Sequence, residues 1–319
     1  MKLTINQFLQ KGINALNKNN FKEAENCYRA ILEIEPKHFD AHHFLGISLD
    51  ALGRQNEAKT SYQNAIKFKP DFAEAHYNLG NVYIDLGELN NSELSYKKAL
   101  FLKQDYVEAN SNIKLILKLK KLLFNIEKEK KLTSANLSVI NPVIKLAPKP
   151  FVVNRFVEND LINYLYKINS RKLDETRDSR FGNGKCSMDF DLFDEKDIII
   201  QSIAKDLIDI MHQAVGSKVH IIDSFFNILG AGGGTKPHNH LIPFDKTTTL
   251  GDQKYSLVYY LSVGDQNCSE PGILKLYDPD KKILPLEGMV VIVPAHRKHS
   301  AIYNGKKDRI MIGCNFYSL

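Results

Sequence analysis

The sequence has few cysteines and no long apolar run, and both features narrow the classes of protein to which it can belong. Its four cysteines (Cys27, Cys186, Cys268 and Cys314) lie far apart and include no Cys-x-x-Cys pair. They are therefore expected to be free thiols in a reducing compartment. No apolar segment approaches the length that crosses a membrane, and the first residues lack the apolar core of a signal peptide. We therefore expect a cytoplasmic protein with no membrane partner.

Charge is nearly balanced. Lysine and arginine number 43 and aspartate and glutamate 37, which leaves a net charge of +6. This small excess of positive charge does not require a nucleic-acid partner. The lysines at 114–131 are expected to form a solvated face of a helix. We therefore expect no nucleic-acid partner. With 319 residues, of which 43% are hydrophobic, the chain is long enough for about two domains with ordinary cores.

Residues 5–106 repeat with a period of 34. Glycine recurs at positions 12, 46 and 80 and tyrosine at positions 28, 62 and 96, while Pro36 and Pro70 close the first two repeats. This pattern resembles the tetratricopeptide repeat, a helix-turn-helix unit that stacks into an all-α solenoid. We expect repeats at about 5–38, 39–72 and 73–106 and a capping helix after them, so that the solenoid occupies residues 1–131.

The resemblance also implies a partner. Tetratricopeptide repeats usually bind a protein or peptide in their concave groove, so the first helix of each repeat is expected to supply the contacts. The candidate partner-binding residues are His43, Ile47, Asp50, Tyr77, Asn78 and Asn81. A repeat stack that serves only as a spacer or a dimerisation face is the alternative.

Residues 132–150 have the composition of a linker, and the pattern then changes. Helices are expected near 159–170 and within 194–215, followed by short strands at 219–229, 255–263, 272–278, 288–293, 299–303 and 309–317. Helices followed by many short strands are typical of an α+β domain built on a barrel or jelly roll. We expect that domain at residues 151–319, with a flexible loop at the glycines near 230–234 and a polar loop at 177–191.

Three histidines give this second domain its chemistry. Residues i and i+2 of an extended segment face the same way, so His238 and His240 can direct two imidazoles to one point. If the hairpin signal Asn304-Gly305 joins two paired strands, His299 and Arg309 lie opposite each other. A metal ligand beside a fixed guanidinium suits a ligand that chelates a metal at one end and presents a carboxylate at the other.

Residues 220–319 also resemble a known family. The order Asn227, Pro237-His238-Asn239-His240, Tyr255-Ser-Leu-Val-Tyr259, His299 and Arg309 is similar to that of 2-oxoglutarate/Fe(II) oxygenases found behind tetratricopeptide repeats, which are relatives of the prolyl hydroxylases. The resemblance implies a jelly-roll (double-stranded β-helix) dioxygenase that uses Fe(II), 2-oxoglutarate and O2, with ascorbate as a candidate reductant. It makes His238 and His299 metal ligands and Arg309 the anchor of 2-oxoglutarate. His240 is the candidate third ligand, and Tyr259 and Asn227 are further candidates to bind the cofactor.

Two positions depart from the family pattern. His240 stands where a carboxylate is usual, so either His240 or a nearby carboxylate such as Asp245 completes the ligand set, and Met311 replaces a common serine. Two other functions therefore remain open. One is a three-histidine, cupin-like metal dioxygenase that does not use 2-oxoglutarate, and the other is a non-catalytic adaptor whose repeats alone are functional. The hydroxylation substrate is not indicated by the sequence.

Overall fold

A computed structural model describes residues 4–135, 150–175 and 179–319. The described chain divides into two compact units, one of Met1–Lys120 with Ile242–Thr248 and one of Lys121–Leu241 with Thr249–Leu319. Most of the predicted linker, residues 136–149, lies outside the described residues. The predicted domain boundaries at 131 and 151 stay predictions.

The first unit consists of helix pairs. Its helices are α1 (Ile5–Asn17), α2 (Phe21–Ile34), α3 (Phe39–Ala51), α4 (Gln55–Phe68), α5 (Ala73–Asp85) and α6 (Leu89–Leu102), and the long α7 (Val107–Ala135) begins in it. The starting positions of α1, α3, α5 and α7 are evenly spaced along the chain, at the interval that separates the repeated glycines. The period of the sequence is therefore the period of the structure, and the predicted helical solenoid is confirmed.

A glycine and a tyrosine pack together in every repeat. A Cβ added to Gly12, Gly46 or Gly80 would lie 2.6–2.7 Å from the ring of the tyrosine in the second helix of the same repeat. These tyrosines, Tyr28 among them, are at most 1% exposed. The repeated glycines therefore allow the two helices of a repeat to approach around one large side chain, which is why both residues recur together.

An ion-pair cluster links the first two repeats. Glu25 is 2% exposed and its carboxylate receives hydrogen bonds from Lys22, Arg29 and Arg54 at 2.7–3.0 Å. Burial raises the pKa of Glu25, but the hydrogen bonds from Lys22, Arg54 and Arg29 outweigh it and lower that pKa to about 2.

The second unit is built on two antiparallel sheets. Its helices are α8 (Asn159–Lys167) and α9 (Ile198–Val215), and the segment Pro243–Thr247 forms the short α10, which groups with the first unit. The strands in chain order are β1 (Phe151–Asn154), β2 (Ser170–Lys172), β3 (Arg180–Phe181), β4 (Gly184–Ser187), β5 (Val219–Leu229), β6 (Gly233–His238), β7 (Lys254–Ser262), β8 (Leu274–Leu276), β9 (Lys281–Ile283), β10 (Met289–Pro294), β11 (His299–Tyr303) and β12 (Arg309–Ser318).

Seven strands form one sheet in the order β1-β10-β7-β12-β5-β4-β2, and five form the other in the order β3-β6-β11-β8-β9. Apolar residues of α8 and α9 pack on one face of the seven-stranded sheet. On its opposite face, Tyr260 and Val291 share a core with Leu274 and Leu276 of the five-stranded sheet. The two sheets therefore face each other across a common interior.

The predicted pairing of His299 with Arg309 is wrong. Strand β11 pairs with β6 and β8, whereas β12 pairs with β5 and β7 in the other sheet. The Asn304-Gly305 segment thus connects the two sheets instead of closing a hairpin. The expected flexible loop near 230–234 is also partly wrong, because Gly233 and Gly234 belong to β6, where their neighbours leave no room for a Cβ.

Candidate metal and anion site

Paired strands bring two of the three histidines together. His299 opens β11 and lies directly opposite His238, the last residue of β6. Opposed residues in an antiparallel pair share a face of the sheet. The ring centroids of His238 and His299 are 4.5 Å apart. The proximity of these two histidines, which are distant in sequence, therefore follows from strand register.

His240 joins them from the segment just after β6. Its backbone N–H donates to the Ala295 carbonyl at 2.9 Å, which ties this segment to the end of β10. Its Nε2 lies 3.2 Å from Nε2 of His299. One ring nitrogen from each of the three histidines lies within 4.8 Å of the others, so the predicted His238, His240 and His299 converge.

Backbone carbonyls fix two of the rings. His238 Nδ1 donates to the Lys236 carbonyl at 2.7 Å, and His299 Nδ1 donates to the Arg297 carbonyl at 3.2 Å. Since a carbonyl only accepts, the proton lies on Nδ1 in both rings and the lone pair of the ring lies on Nε2. Metal-binding histidines usually have such a partner on the nitrogen that does not bind the metal.

The environment keeps His240 and His299 neutral. Burial, with the neighbouring His238, lowers the pKa of His299 to about 4. Burial, together with His299, His238 and Lys254, lowers the pKa of His240 well below its usual value. Both imidazoles are therefore uncharged at neutral pH, which is the form that binds a metal.

The spacing of the cluster fits a metal ion. Two imidazole nitrogens bound to one metal at about 2.1 Å lie about 3.0–3.4 Å apart, depending on the bond angle. The His240–His299 nitrogen separation is 3.2 Å. Asp245, the alternative ligand, is not one of the three clustered side chains among the described residues. Its carboxylate accepts from the Ile242 backbone N–H at 2.7 Å.

The interior between the sheets also contains a buried guanidinium. Arg309 begins β12, is 0% exposed and lies with its guanidinium carbon 4.9 Å from the centre of the Tyr260 ring. Its Nη1 donates to the Gly272 carbonyl. Within the described part of the chain, Nε and Nη2 are buried without a hydrogen-bond partner. Leaving such donors unpaired is costly, so this edge of Arg309 is suited to an acceptor that comes from outside the chain.

Register decides which tyrosine faces Arg309. Tyr260 and Asn227 both lie opposite Met311, so these three side chains share the interior face. Tyr259 faces the helices instead, where its hydroxyl donates to the Phe156 carbonyl at 2.7 Å. The structure therefore brings Asn227 to the face that carries Arg309, does not bring Tyr259 there, and puts Tyr260 in its place.

Arg180 is a buried cation that was not predicted from the sequence. Arg180 of β3 is 7% exposed, lies opposite Thr235 of β6, and donates from Nη1 to Asn227 Oδ1 at 3.1 Å. Thr235 in turn lies opposite Ala301, two positions after His299 on β11, so Arg180 and the histidines share a face. No sequence signal marks Arg180, because it lies in a polar segment expected to be a loop.

The residues predicted to bind a partner are divided between two environments. His43 is 6% exposed, packs against Phe72, and has Nε2 3.0 Å from Asn78 Nδ2. Burial lowers the pKa of His43 to about 4. His43 and Asn78 thus bond each other between neighbouring repeats, which leaves His43 little surface for a partner.

The other predicted partner residues are half-buried. Tyr77 stacks on Tyr106 with centroids 4.8 Å apart, and Asn81 Oδ1 accepts from the Tyr96 hydroxyl at 2.5 Å. Ile47 packs against the helical core, and burial raises the pKa of Asp50. These four residues keep some accessible surface on helices α3 and α5.

Three family models match the first unit. They are described as "TPR repeat" over residues 48–87 and "Tetratricopeptide repeat" over residues 73–106 and 9–58. Residues 9–106 are tetratricopeptide repeats. All three matches end before the histidine cluster.

Several solved structures are similar to part of this chain. A mutant O-GlcNAc transferase from Thermobaculum terrenum is 29% identical over 37% of this chain and 23% of its own, with a TM-score of 0.35. MamA is 22% identical over 41% of this chain and 81% of its own, with a TM-score of 0.37. The second TPR domain of human RPAP3, solved in complex with an HSP70 peptide, is 16% identical over 34% of this chain and 91% of its own, with a TM-score of 0.33.

The match thus spans about a quarter of the transferase chain. No curated protein matches the sequence. In the described residues, no helix has both the length and the apolar character that a membrane crossing needs.

Proposed function

We propose that the second unit is a 2-oxoglutarate- and Fe(II)-dependent dioxygenase and that the repeats recruit its protein or peptide substrate. The observation that carries the proposal is the interior shared by a three-imidazole cluster and a buried arginine whose Nε and Nη2 are unpartnered among the described residues. A metal-chelating ligand with a distal carboxylate satisfies both groups.

Strand order supports a jelly roll. From β5 onward, eight strands divide into the four-stranded sets β10-β7-β12-β5 and β6-β11-β8-β9. Successive strands cross between the sheets at every step except β8 to β9, which pair within one sheet. Two facing antiparallel sheets of four strands connected in this way are the arrangement expected of a jelly roll, with the histidines on β6 and β11.

The residues of this chain would have distinct roles. His238, His240 and His299 would hold the metal through Nε2, and the Lys236 and Arg297 carbonyls would fix the rings of His238 and His299. Bound Fe(II) would activate O2, the oxidant, for hydroxylation of a C–H bond, with 2-oxoglutarate as the source of two of the four electrons and ascorbate as the candidate reductant that keeps the iron in the Fe(II) state. Arg309 would bind the distal carboxylate, and Tyr260 and Met311 would exclude water beside it.

A three-histidine dioxygenase without 2-oxoglutarate is the second candidate. It is favoured by His240, which stands at the position of the usual carboxylate and lies 3.2 Å from His299. Such an enzyme has no need of a carboxylate anchor, so it gives no account of the buried edge of Arg309. The dependence of ligand affinity on Arg309 separates the two candidates.

One anaerobic experiment tests the proposal. Fe(II) and 2-oxoglutarate added to the purified protein should produce the weak visible charge-transfer band of a 2-oxo acid chelated to iron. His238→Ala should abolish the band and Arg309→Ala should abolish it at low 2-oxoglutarate concentration. His296→Ala, an exposed histidine in the turn before His299, is the matched control and should leave the band unchanged.

The outcomes are distinct. Iron binding without the band would favour the three-histidine dioxygenase. The absence of iron binding would favour the adaptor, in which the repeats alone act.

The repeats supply the recruiting surface in this proposal. Ile47, Asp50, Tyr77 and Asn81 retain accessible surface on the first helices of repeats two and three. A peptide selected from a random library on the full chain should lose affinity in Asp50→Asn. The matched control Asp71→Asn, at an exposed turn, should retain it. Equal affinity in both variants would contradict this placement of the partner.

A further inference from the structure

Gly272 limits the ways in which Arg309 can meet a ligand. The Gly272 carbonyl accepts a hydrogen bond from Arg309 Nη1, and the Tyr260 ring lies beside the guanidinium, 4.9 Å from its central carbon. The end of the fork formed by Nη1 and Nη2 is therefore partly occupied by the protein itself.

The side edge of the guanidinium is what remains. Nε and Nη2 each carry an N–H, and in the described residues neither has an acceptor although both are buried. These two N–H bonds are parallel and match the two oxygens of a carboxylate. The contacts of Nη1 thus select side-on binding by Nε and Nη2 over end-on binding by Nη1 and Nη2.

Only glycine fits at residue 272. Its φ of +77° lies in the left-handed region, which other residues rarely adopt. A Cβ at this position would overlap Nη1 and the guanidinium carbon of Arg309. Because Arg309 is fully buried, its guanidinium has little space in which to retreat, so a side chain at 272 must turn the fork away from its present direction.

We propose that Gly272 is a positioning residue for an anion site: its carbonyl and its lack of a side chain direct Arg309 to take a carboxylate side-on through Nε and Nη2. This inference rests on the proposed function in one respect, since the ligand assigned to the site is the distal carboxylate of 2-oxoglutarate. Gly272 acts through Arg309 and does not itself contact the ligand.

The test compares two 2-oxo acids. Pyruvate shares the chelating end of 2-oxoglutarate but lacks the distal carboxylate. Their affinities for the full chain loaded with Mn(II) would be measured by anaerobic calorimetry. Gly272→Ala should lower the affinity for 2-oxoglutarate about 10- to 100-fold, the range expected when hydrogen bonds to a charged group are lost. The same variant should leave the affinity for pyruvate unchanged, because pyruvate has no distal carboxylate to contact Arg309.

Gly232→Ala is the matched control. Gly232 also has a positive φ, +81°, but a Cβ there would meet nothing within 4 Å. It therefore reproduces the backbone strain without the collision, and it should bind both ligands like the wild type. Equal affinity of Gly272→Ala and the wild type for 2-oxoglutarate, or an equal loss for 2-oxoglutarate and pyruvate, would overturn the proposal.

A second variant keeps the proposal testable if Gly272→Ala does not fold. Arg309→Lys retains the charge but removes the paired donors Nε and Nη2. It should lose 2-oxoglutarate affinity selectively as well. Full affinity in Arg309→Lys would show that side-on pairing does not occur. In the Arg309→Lys background, Gly272→Ala should add no further loss, because the two changes act on one contact.

Glutarate separates this inference from the proposed function, because it has two carboxylates and no 2-oxo group. If the metal-free wild type binds glutarate and Gly272→Ala does not, while Mn(II) adds nothing to 2-oxoglutarate binding, the anion site stands and the dioxygenase proposal fails. If the wild type binds neither dicarboxylate, with or without metal, both are overturned.

Discussion

The packing of glycine against tyrosine within each repeat predicts how much stability a glycine-to-alanine substitution would cost. In Gly46→Ala, the new methyl group would lie 2.6 Å from Cε1 of Tyr62, a side chain that is 1% exposed. Overpacking of this kind costs about 1–3 kcal/mol. Alanine also favours a helix interior over glycine by about 1 kcal/mol. The two effects oppose each other, so we expect a net loss of about 0–2 kcal/mol in the free energy of unfolding of the repeats.

Urea unfolding of the full chain, followed by circular dichroism at the helical minimum, measures this loss. Replacing Tyr62 by leucine gives the methyl group space, so Gly46→Ala should cost less in the Tyr62→Leu background than in the wild type. Two results would refute the reasoning. One is a stabilised Gly46→Ala protein, which would mean that helix propensity dominates, and the other is equal costs in both backgrounds.

Three further outcomes are expected. Because the pKa of Glu25 is lowered to about 2, its ion pairs stabilise the fold fully above about pH 4.5 and lose this effect as the pH falls towards 2. Glu25→Gln should therefore lower the free energy of unfolding at pH 7 by at most about 3 kcal/mol. In urea titrations at lower pH, the difference between Glu25→Gln and the wild type should become progressively smaller. Mn(II) should raise the melting temperature of the wild type and of His296→Ala but not that of His299→Ala, and an equal shift in all three would contradict the assigned cluster. Tyr259→Phe removes the hydrogen bond to the Phe156 carbonyl, so it should lower the free energy of unfolding by about 1 kcal/mol and leave the affinity for 2-oxoglutarate unchanged. A changed affinity would show that Tyr259 reaches the ligand.

The repeats could be predicted from the sequence because their contacts are local. Gly46 and Tyr62 lie close in sequence, within one helix pair, and the same spacing recurs in each repeat. Several strands of the second unit were also predicted, since their apolar runs are short and bounded by turn residues. The first strand of that series, β5, has the expected bounds of 219–229.

The arrangement of the candidate site depends on pairings that the sequence does not encode locally. His299 meets His238 because β11 lies between β6 and β8, and Arg309 enters from the other sheet. Strand β6 itself was missed, because its two glycines and its proline have low β-propensity. The choice between Tyr259 and Tyr260 depends on the register of β7 against β12, which shifts between Ile310 and Met311.

In the proposed metal site, charge gives a physical reason for histidine at position 240. Three neutral imidazoles leave the full double positive charge of a divalent cation uncompensated, whereas a carboxylate ligand would cancel half of it. Arg309 adds a further positive charge in the same buried interior. A ligand with two carboxylates, one at the metal and one at Nε and Nη2 of Arg309, offsets most of this charge, while a neutral or singly charged ligand leaves at least one cation unpaired at a high desolvation cost. If the proposed dioxygenase function is correct, His240→Asp should therefore weaken 2-oxoglutarate binding more than it weakens metal binding, because the new carboxylate competes with the ligand for the same charge.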